Sequence, residues 1–201
     1  MKTRYILLLG VGILLGVGLI ALVSTRAPRP TEFQGSLIDP PIPAKDFILH
    51  DQNGEPFSLS GQRGKVVLLF FGYTFCPDVC PTTLVAFQKM SEALGDQGEQ
   101  VAFVFVTVDP NRDTPEQLKK HLALFSPDIY GLTDDPEPLG AVWADYYVEP
   151  KIQPGANTAG YLVEHPSRVY VIDQEGNLRL TFPFGMTAEA MLEDVQHLLD
   201  E

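Results

Sequence analysis

The sequence predicts an α/β fold with a mixed central sheet flanked by helices and an N-terminal β-hairpin, preceded by one transmembrane helix. Three observations predict it: an uninterrupted apolar run near the N-terminus, continuous runs of β-forming residues further on, and amphipathic stretches between those runs. Continuous apolar runs are typical of strands buried on both faces of a parallel sheet, and amphipathic stretches are typical of the helices that cover it. A length of 201 residues favours a single domain with an appendage.

The first element is the run at residues 5–23, which contains only apolar and glycine residues. At about 1.5 Å per residue it spans roughly the 30 Å hydrocarbon core of a bilayer. Basic residues flank it on both sides: Lys2, Arg4, Arg26 and Arg29. A cleavable signal peptide is the alternative, although its apolar region is usually about 7 to 15 residues long. We predict that residues 1–26 form an uncleaved single-pass anchor with a cytoplasmic N-terminus and the domain on the periplasmic or extracytoplasmic side.

Residues 27–43 contain five of the chain's 17 prolines and few large apolar side chains. This composition is typical of a semi-rigid extended linker. The linker is expected to hold a globular domain, residues 44–201, away from the membrane.

The chain after residue 30 is strongly acidic, since it carries all 26 acidic residues and only 10 of the 14 basic ones, a formal charge of −16. This charge argues against nucleic-acid binding. It suits solubility alone, or a partner with a basic or metal-carrying face.

The predicted domain begins with a β-hairpin, because residues 47–49 and 56–59 are short apolar segments on either side of an Asn53-Gly54 turn. A continuous apolar run at residues 66–71 then predicts a buried strand, and residues 101–108 predict a second one. Between them, residues 82–94 carry apolar side chains at helical spacing, which predicts an amphipathic helix.

The second half continues with further predicted elements: helices at residues 114–125 and 139–147, strands at 169–172 and 178–182, and a helix at 187–199. The first of these helices has the clearest start, because Thr114 is a favourable N-cap and Pro115 suits the first helical position. The order of all elements predicts a mixed sheet with helices on both faces.

The only two cysteines, Cys76 and Cys80, follow the first buried strand and lead into the next helix. Sites in open α/β sheets lie at the carboxyl ends of strands, so both are candidates for function. Pro81 suits the first helical position, which makes Cys80 the expected helix cap. The positive end of the helix then favours thiolates. A disulfide across so small a loop would stabilise the fold by only about 2 kcal/mol, so a purely structural pair is not expected.

A third ligand for these thiolates must come from another part of the chain. His50, His121 and His197 are predicted to be solvated surface residues, whereas His165 precedes the strand at 169–172 in a loop rich in turn residues. That loop can reach over the carboxyl end of the first strand. Two soft thiolates and one imidazole suit a cuprous ion, or a cupric ion completed by oxygen ligands, while a structural zinc site would require four protein ligands.

Three segments carry a resemblance to a known family: CPDVCP at residues 76–81, VDPNRDTP at 108–115, and VEH at 163–165 followed by VYVID at 169–173. In this order and spacing they resemble the Sco/SenC family. The resemblance implies a thioredoxin-like fold and a membrane-anchored metallochaperone that assists assembly of the CuA centre of cytochrome c oxidase. It implies that Cys76, Cys80 and His165 bind copper as Cu(I), Cu(II) or both. The implied partners are subunit II of the oxidase, thiol reductants and other copper carriers.

The chain departs from the family pattern at Glu164-His165-Pro166, where members usually have Asp-His-Thr. Glu164 keeps the charge, and Pro166 changes the stiffness of the loop at a point where thioredoxins carry a cis-proline. Two interpretations of Asp78 and Asp109 remain open: each has a role beside the ligands or in docking, or each is an ordinary turn residue.

Two other activities compete with a metallochaperone. A thiol-disulfide oxidoreductase would use Cys76 or Cys80 as the attacking thiolate, but thioredoxin-like reductases have two intervening residues and not three, and His165 would have no role. A thiol peroxidase would need a threonine three residues before the reactive cysteine, where this chain has Tyr73. We therefore expect a copper chaperone, with thiol-disulfide exchange as the alternative.

Overall fold

The structure is a computed structural model that describes residues 33–126, 128–154 and 160–201. Its strands are β1 Ser36–Pro43, β2 Ile48–His50, β3 Pro56–Ser58, β4 Val66–Gly72, β5 Val101–Thr107, β6 Ile129–Leu132, β7 Lys151–Pro154, β8 Tyr161–Glu164, β9 Val169–Ile172 and β10 Asn177–Phe182. Its α-helices are α1 Val79–Leu94, α2 Pro115–Leu122, α3 Pro136–Asp145 and α4 Ala188–Leu199. Short 3-10 helices occupy Ser60–Gln62 and Gly95–Gln100.

Six of the strands form one sheet in the order β1-β10-β9-β4-β5-β6. Strands β4, β5 and β6 run parallel to one another, while β9, β10 and β1 add antiparallel pairs. Every residue of β4 and β5 is buried, as their continuous apolar sequences predict. The predicted mixed sheet is therefore confirmed.

Helices cover both faces of this sheet, as the order of the elements predicts. Phe103 of β5 packs against Phe87 of α1, with 5.2 Å between ring centroids. Phe71 of β4 instead packs against Tyr146, the residue after α3, at 5.6 Å. Phe103 aligns with Leu68, and residues an odd number apart along a strand point to opposite faces. The helices α1 and α3 thus lie on opposite faces.

The predicted N-terminal hairpin is present as β2 and β3, which pair with each other only. The Asp51 carboxylate accepts hydrogen bonds from the backbone amides of Asn53 and Glu55. Gly54 has a φ of 83°, a left-handed conformation that glycine adopts without steric cost. The Asn53-Gly54 turn therefore correctly predicts the hairpin.

The prediction of a linker over residues 27–43 is corrected for residues 36–43, which form strand β1 at the edge of the sheet, whereas residues 27–32 lie outside the described residues. An edge strand tolerates proline, and the pairing with β10 shifts register between Leu37 and Ile42, where Pro40 and Pro41 lie. Just before β1, the buried carboxylate of Asp194 accepts hydrogen bonds from the amides of Gln34 and Gly35. The compact domain therefore begins at Phe33.

Three short strands have no counterpart among the predicted elements. Strand β6 contains Gly131 and is only four residues long, so it lacks a run of β-forming side chains. Strands β7 and β8 form a separate two-stranded sheet in the segment that is predicted to be a turn-rich loop. This β7–β8 hairpin leads directly into His165.

Within the three described ranges, no helix is both long enough and apolar enough to cross a bilayer. The predicted anchor, residues 1–26, lies outside those ranges.

Candidate metal centre

The two cysteines lie where β4 passes into α1. Cys76 is half-buried in the connecting loop, and Cys80 is fully buried. The helix begins at Val79, two residues before Pro81, so Cys80 belongs to its first turn and is not the predicted cap. Gly72, the last residue of β4, makes room for this packing: a Cβ atom there would lie 2.7 Å from the Cys80 sulfur.

His165 brings an imidazole to the sulfur pair from the loop before β9, the strand next to β4. Its Nε2 atom lies 3.6 Å from Cys80 Sγ, and the ligand atoms of Cys76, Cys80 and His165 all lie within 4.8 Å of one another. Within the described ranges, this is the one group of three or more such side chains that could hold a metal ion. The structure thus brings together the three predicted ligands.

The orientation of the His165 ring is fixed by its surroundings. Its Nδ1 atom lies 2.9 Å from the carbonyl oxygen of Pro166, to which it can only donate a hydrogen. With Nδ1 engaged by this carbonyl, Nε2 is the ring nitrogen that faces the sulfurs, as in many metal sites. The rings of Phe70 and Tyr73 meet the imidazole edge-on at 6.0 Å and 5.7 Å, and they hold its plane.

The two thiols differ in acidity because they share one proton. The pKa of Cys76 is lowered to about 4, first by the hydrogen bond from the Cys80 thiol and further by His165 and the backbone amides of Asp78 and Cys80. The Cys80 amide lies 3.4 Å from Cys76 Sγ. Burial raises the pKa of Cys80, and the neighbouring Cys76 thiolate raises it further. Without metal, Cys76 is therefore the thiolate and Cys80 keeps its proton.

The other three histidines lie away from this group. His50 is exposed and lies 2.7 Å from Asp134, which agrees with the predicted surface position. His121 and His197 are half-buried, so the prediction of fully solvated rings is corrected for both. The His121 ring packs against Phe125, and burial lowers its pKa. Amphipathic helices bury part of their flanks, which explains why charged neighbours in sequence did not keep these rings in water.

The two candidate aspartates, Asp78 and Asp109, have different environments in the structure. Asp78 is exposed, and its backbone carbonyl accepts hydrogen bonds from Thr82, as in an ordinary helix start. Asp109 is almost fully buried; its carboxylate accepts a hydrogen bond from the Tyr161 hydroxyl at 2.7 Å and pairs with Arg112. Asp109 is therefore more than a turn residue.

A buried carboxylate that the sequence did not single out joins the cysteine loop to the loop after β5. Asp113 accepts hydrogen bonds from the amide and hydroxyl of Thr74 and from the hydroxyl of Thr107. Burial raises its pKa, and these threonine bonds oppose that rise. Asp113 lies inside the segment VDPNRDTP. Its contact with Thr74 spans 39 residues, so no local sequence pattern predicts it.

A thioredoxin-like α/β domain with two thiols and an imidazole at the carboxyl end of its central strand defines a class of protein that binds soft metal ions or exchanges disulfides. Residues 38–200 match the SCO1/SenC family. The chain belongs to this family, as the three sequence segments predict.

Individual relatives agree with that assignment. The chain is 34% identical over 187 residues to an SCO2-like protein of Rickettsia conorii, an alignment that covers 91% of each chain. The copper-bound structure of ScoI from Bradyrhizobium japonicum is similar with a TM-score of 0.72 and 36% identity over 79% of this chain and 99% of that one. Apo Sco1 from Thermus thermophilus gives a TM-score of 0.74 and 37% identity, covering 84% and 98%. The thioredoxin-like fold is therefore shared with Sco proteins.

Proposed function

We propose that this protein is a copper chaperone that holds one copper ion through Cys76, Cys80 and His165 and passes it to the CuA site of cytochrome c oxidase. The observation that carries the proposal is the convergence of two sulfurs and one imidazole nitrogen within 4.8 Å. Copper also appears in the related ScoI structure of Bradyrhizobium japonicum. The oxidase as recipient follows from membership of the family.

The donor set suits copper better than zinc. Two thiolates and one imidazole complete a three-coordinate site for Cu(I), whereas a structural zinc site would want a fourth protein ligand. The lowered pKa of Cys76 favours its thiolate, and Nε2 of His165 faces the sulfurs, so the proton on Cys80 is the main one that copper must displace. The site is therefore prepared for a soft cation.

Transfer of the ion requires that a recipient reach it. Cys76 is half-buried whereas Cys80 is fully buried, so incoming thiolates approach from the Cys76 side. A cleft on that side is lined by two of the ligands, Cys76 and His165, together with Pro77, Asp78 and Glu164. We expect the recipient's ligands to replace Cys76 before Cys80, because the Cys76 sulfur is the more accessible of the two.

Copper titration tests the proposal directly. Full-length reduced protein in detergent should bind one Cu(I) per chain in competition with a chromophoric chelator, and the double variant Cys76→Ser, Cys80→Ser should bind none. Equal binding by parent and double variant would contradict the proposed site.

Copper affinity is expected to fall as the pH is lowered. Above about 4 the Cys76 thiol is ionised, but the raised pKa of Cys80 means that copper must displace its proton. Displacement of one proton changes apparent affinity by about tenfold per pH unit. Competition titrations between about pH 6 and pH 8 measure this slope, and a slope of zero would show that Cys80 is not a ligand.

Thiol-disulfide exchange is the second candidate function, and one observation favours it. The lowered pKa of the half-buried Cys76 is the property of an attacking thiolate. The His165–Pro166 peptide bond is trans, so the chain lacks the cis-proline of thioredoxins at this point. We propose that this exchange serves copper delivery by reducing a disulfide of the recipient: Cys76 and Cys80 supply the two electrons and become a disulfide, which an external thiol reductant must then reduce.

We also propose that residues 1–26 anchor the protein in a membrane and remain uncleaved. The apolar run of residues 5–23 is long enough to span the hydrocarbon core. The protein should therefore stay in the pellet after carbonate extraction, and N-terminal sequencing should begin within the first residues. A soluble mature form that begins near Ala27 would contradict this proposal.

A further inference from the structure

The β7–β8 hairpin carries His165 but is not part of the central sheet. Its two strands pair only with each other, and all four residues of β7 are exposed. The position of His165 therefore depends on contacts that hold β8 against the rest of the domain. Two such contacts involve the loops that surround the cysteines.

The first contact is made by Arg112, from the loop after β5. Its guanidinium lies 3.6 Å from the centre of the Tyr161 ring, and its Nη1 donates a hydrogen bond of 3.0 Å to the Tyr161 carbonyl. The Asp109 carboxylate holds both partners, since it pairs with Arg112 and accepts a hydrogen bond from the Tyr161 hydroxyl. Arg112 thus fixes the first residue of β8 by stacking and by hydrogen bonding.

The same guanidinium also contacts the loop that carries Cys76. It lies 4.9 Å from the centre of the Phe75 ring and 5.6 Å from that of Tyr73. Tyr73 provides the second contact to the hairpin, because its hydroxyl accepts a hydrogen bond from the Val163 amide. Arg112 therefore lies between the two chain segments that supply the three ligands.

We propose that Arg112 is a positioning residue: it holds the β7–β8 hairpin against the cysteine loop and so keeps His165 within reach of copper. This proposal rests on the proposed function, since it concerns the same three ligands. A planar guanidinium can stack on one ring and bond to a carbonyl and a carboxylate at once, which a lysine ammonium cannot do. Arg112→Lys therefore keeps the charge beside Asp109 but loses the stacked geometry.

The test compares four full-length variants with the parent: Arg112→Ala, Arg112→Lys, His165→Ala and the double variant Arg112→Ala, His165→Ala. Arg179→Ala is the matched control, because the Arg179 side chain is 17% exposed against 15% for Arg112. Like Arg112, Arg179 pairs with carboxylates, those of Asp173 and Glu201, and lies over an aromatic ring, that of Phe33. Thermal melting followed by circular dichroism establishes that each variant folds. Cu(I) affinity is measured by competition, and the nitrogen hyperfine pattern of the Cu(II) form reports imidazole coordination.

Loss of a partner that orients a metal ligand typically lowers affinity about 10-fold to 100-fold, so we expect such a loss in Arg112→Ala and a smaller one in Arg112→Lys. The nitrogen pattern should weaken in both, and Arg179→Ala should match the parent. In the His165→Ala background, Arg112→Ala should cause almost no further loss, because both changes remove the same contribution.

The outcomes separate this inference from the proposed function. Parent-like affinity and nitrogen pattern in the Arg112 variants, with His165→Ala weakened, would overturn the role of Arg112 alone. Equal losses from Arg112→Ala in the parent and in the His165→Ala background would also overturn it, since Arg112 would then act through the fold or the cysteines. Parent-like affinity in His165→Ala would overturn the proposed site. If Arg112→Ala fails to fold, the Arg112→Lys comparison decides by the same criteria.

Discussion

Oxidation of Cys76 and Cys80 to a disulfide is expected to abolish copper binding by the full-length protein. Formation of the bond removes two electrons from the sulfurs and releases the proton of Cys80, so neither sulfur remains a thiolate. Loss of one orienting partner alone costs a metal site about 10-fold to 100-fold in affinity, and loss of two soft ligands should cost at least about 10 000-fold. The two sulfurs already lie within 4.8 Å of each other, which favours formation of the bond.

The measurement uses diamide as the oxidant, thiol titration to confirm that both thiols are lost, and equilibrium dialysis against Cu(I) or Cu(II). Reduction of the same sample should restore one copper per chain, which shows that the fold has survived. Thermal melting of the variant Cys76→Ser, Cys80→Ser before and after diamide treatment is the control for damage elsewhere, because this variant has no thiol to oxidise. Full copper occupancy in the oxidised parent would refute the proposed ligand set.

The central part of the fold was predictable because its strands carry their own signal. The apolar runs of β4 and β5 are buried on both faces, so hydrophobicity alone marks them. The helix starts at Thr114 and Thr187 are also local: each hydroxyl accepts a hydrogen bond from an amide three residues later. Such features depend on nearby residues and can be inferred from a single sequence.

The edges of the fold were not predictable in this way. Strand β1 is proline-rich and exposed along most of its length, and it is a strand only because β10 supplies its hydrogen bonds. The hairpin residues of β7 are likewise exposed. Pairing with another strand decided these elements, far along the chain for β1 and nearby for β7, and propensity did not.

The ligands of the site were predictable from residue chemistry, whereas the residues that hold them were not. Two cysteines at the end of a buried strand, and one histidine before another, are rare enough to be noticed. The contacts of Arg112 with Tyr161 and of Asp113 with Thr74 join residues about 40 to 50 positions apart, as their sequence numbers show. Each of these residue types is common at a protein surface, so its burial becomes apparent only in three dimensions.

Replacement of His165 by alanine is expected to weaken copper binding at least about 100-fold and to leave the fold intact. The Nε2 atom is the only nitrogen of the proposed ligand set and lies 3.6 Å from Cys80 Sγ, so its loss leaves two thiolates with an incomplete coordination shell. The imidazole packs edge-on against Phe70 and Tyr73 without filling the core, which limits the cost to stability. Competition titration with Cu(I), together with thermal melting, measures both effects.

His121→Ala is the matched control for this change, because His121 is also half-buried and packs against an aromatic ring but belongs to no ligand group. His50→Ala and His197→Ala extend the comparison to an exposed ring and to a second helical one. All three should bind copper within about twofold of the parent, the range expected of substitutions that touch no site. If His165→Ala bound Cu(I) and Cu(II) as tightly as the parent while still exchanging disulfides, His165 would not be a ligand and the proposed site would be overturned. The low pKa of Cys76 would then favour thiol-disulfide exchange as the main function.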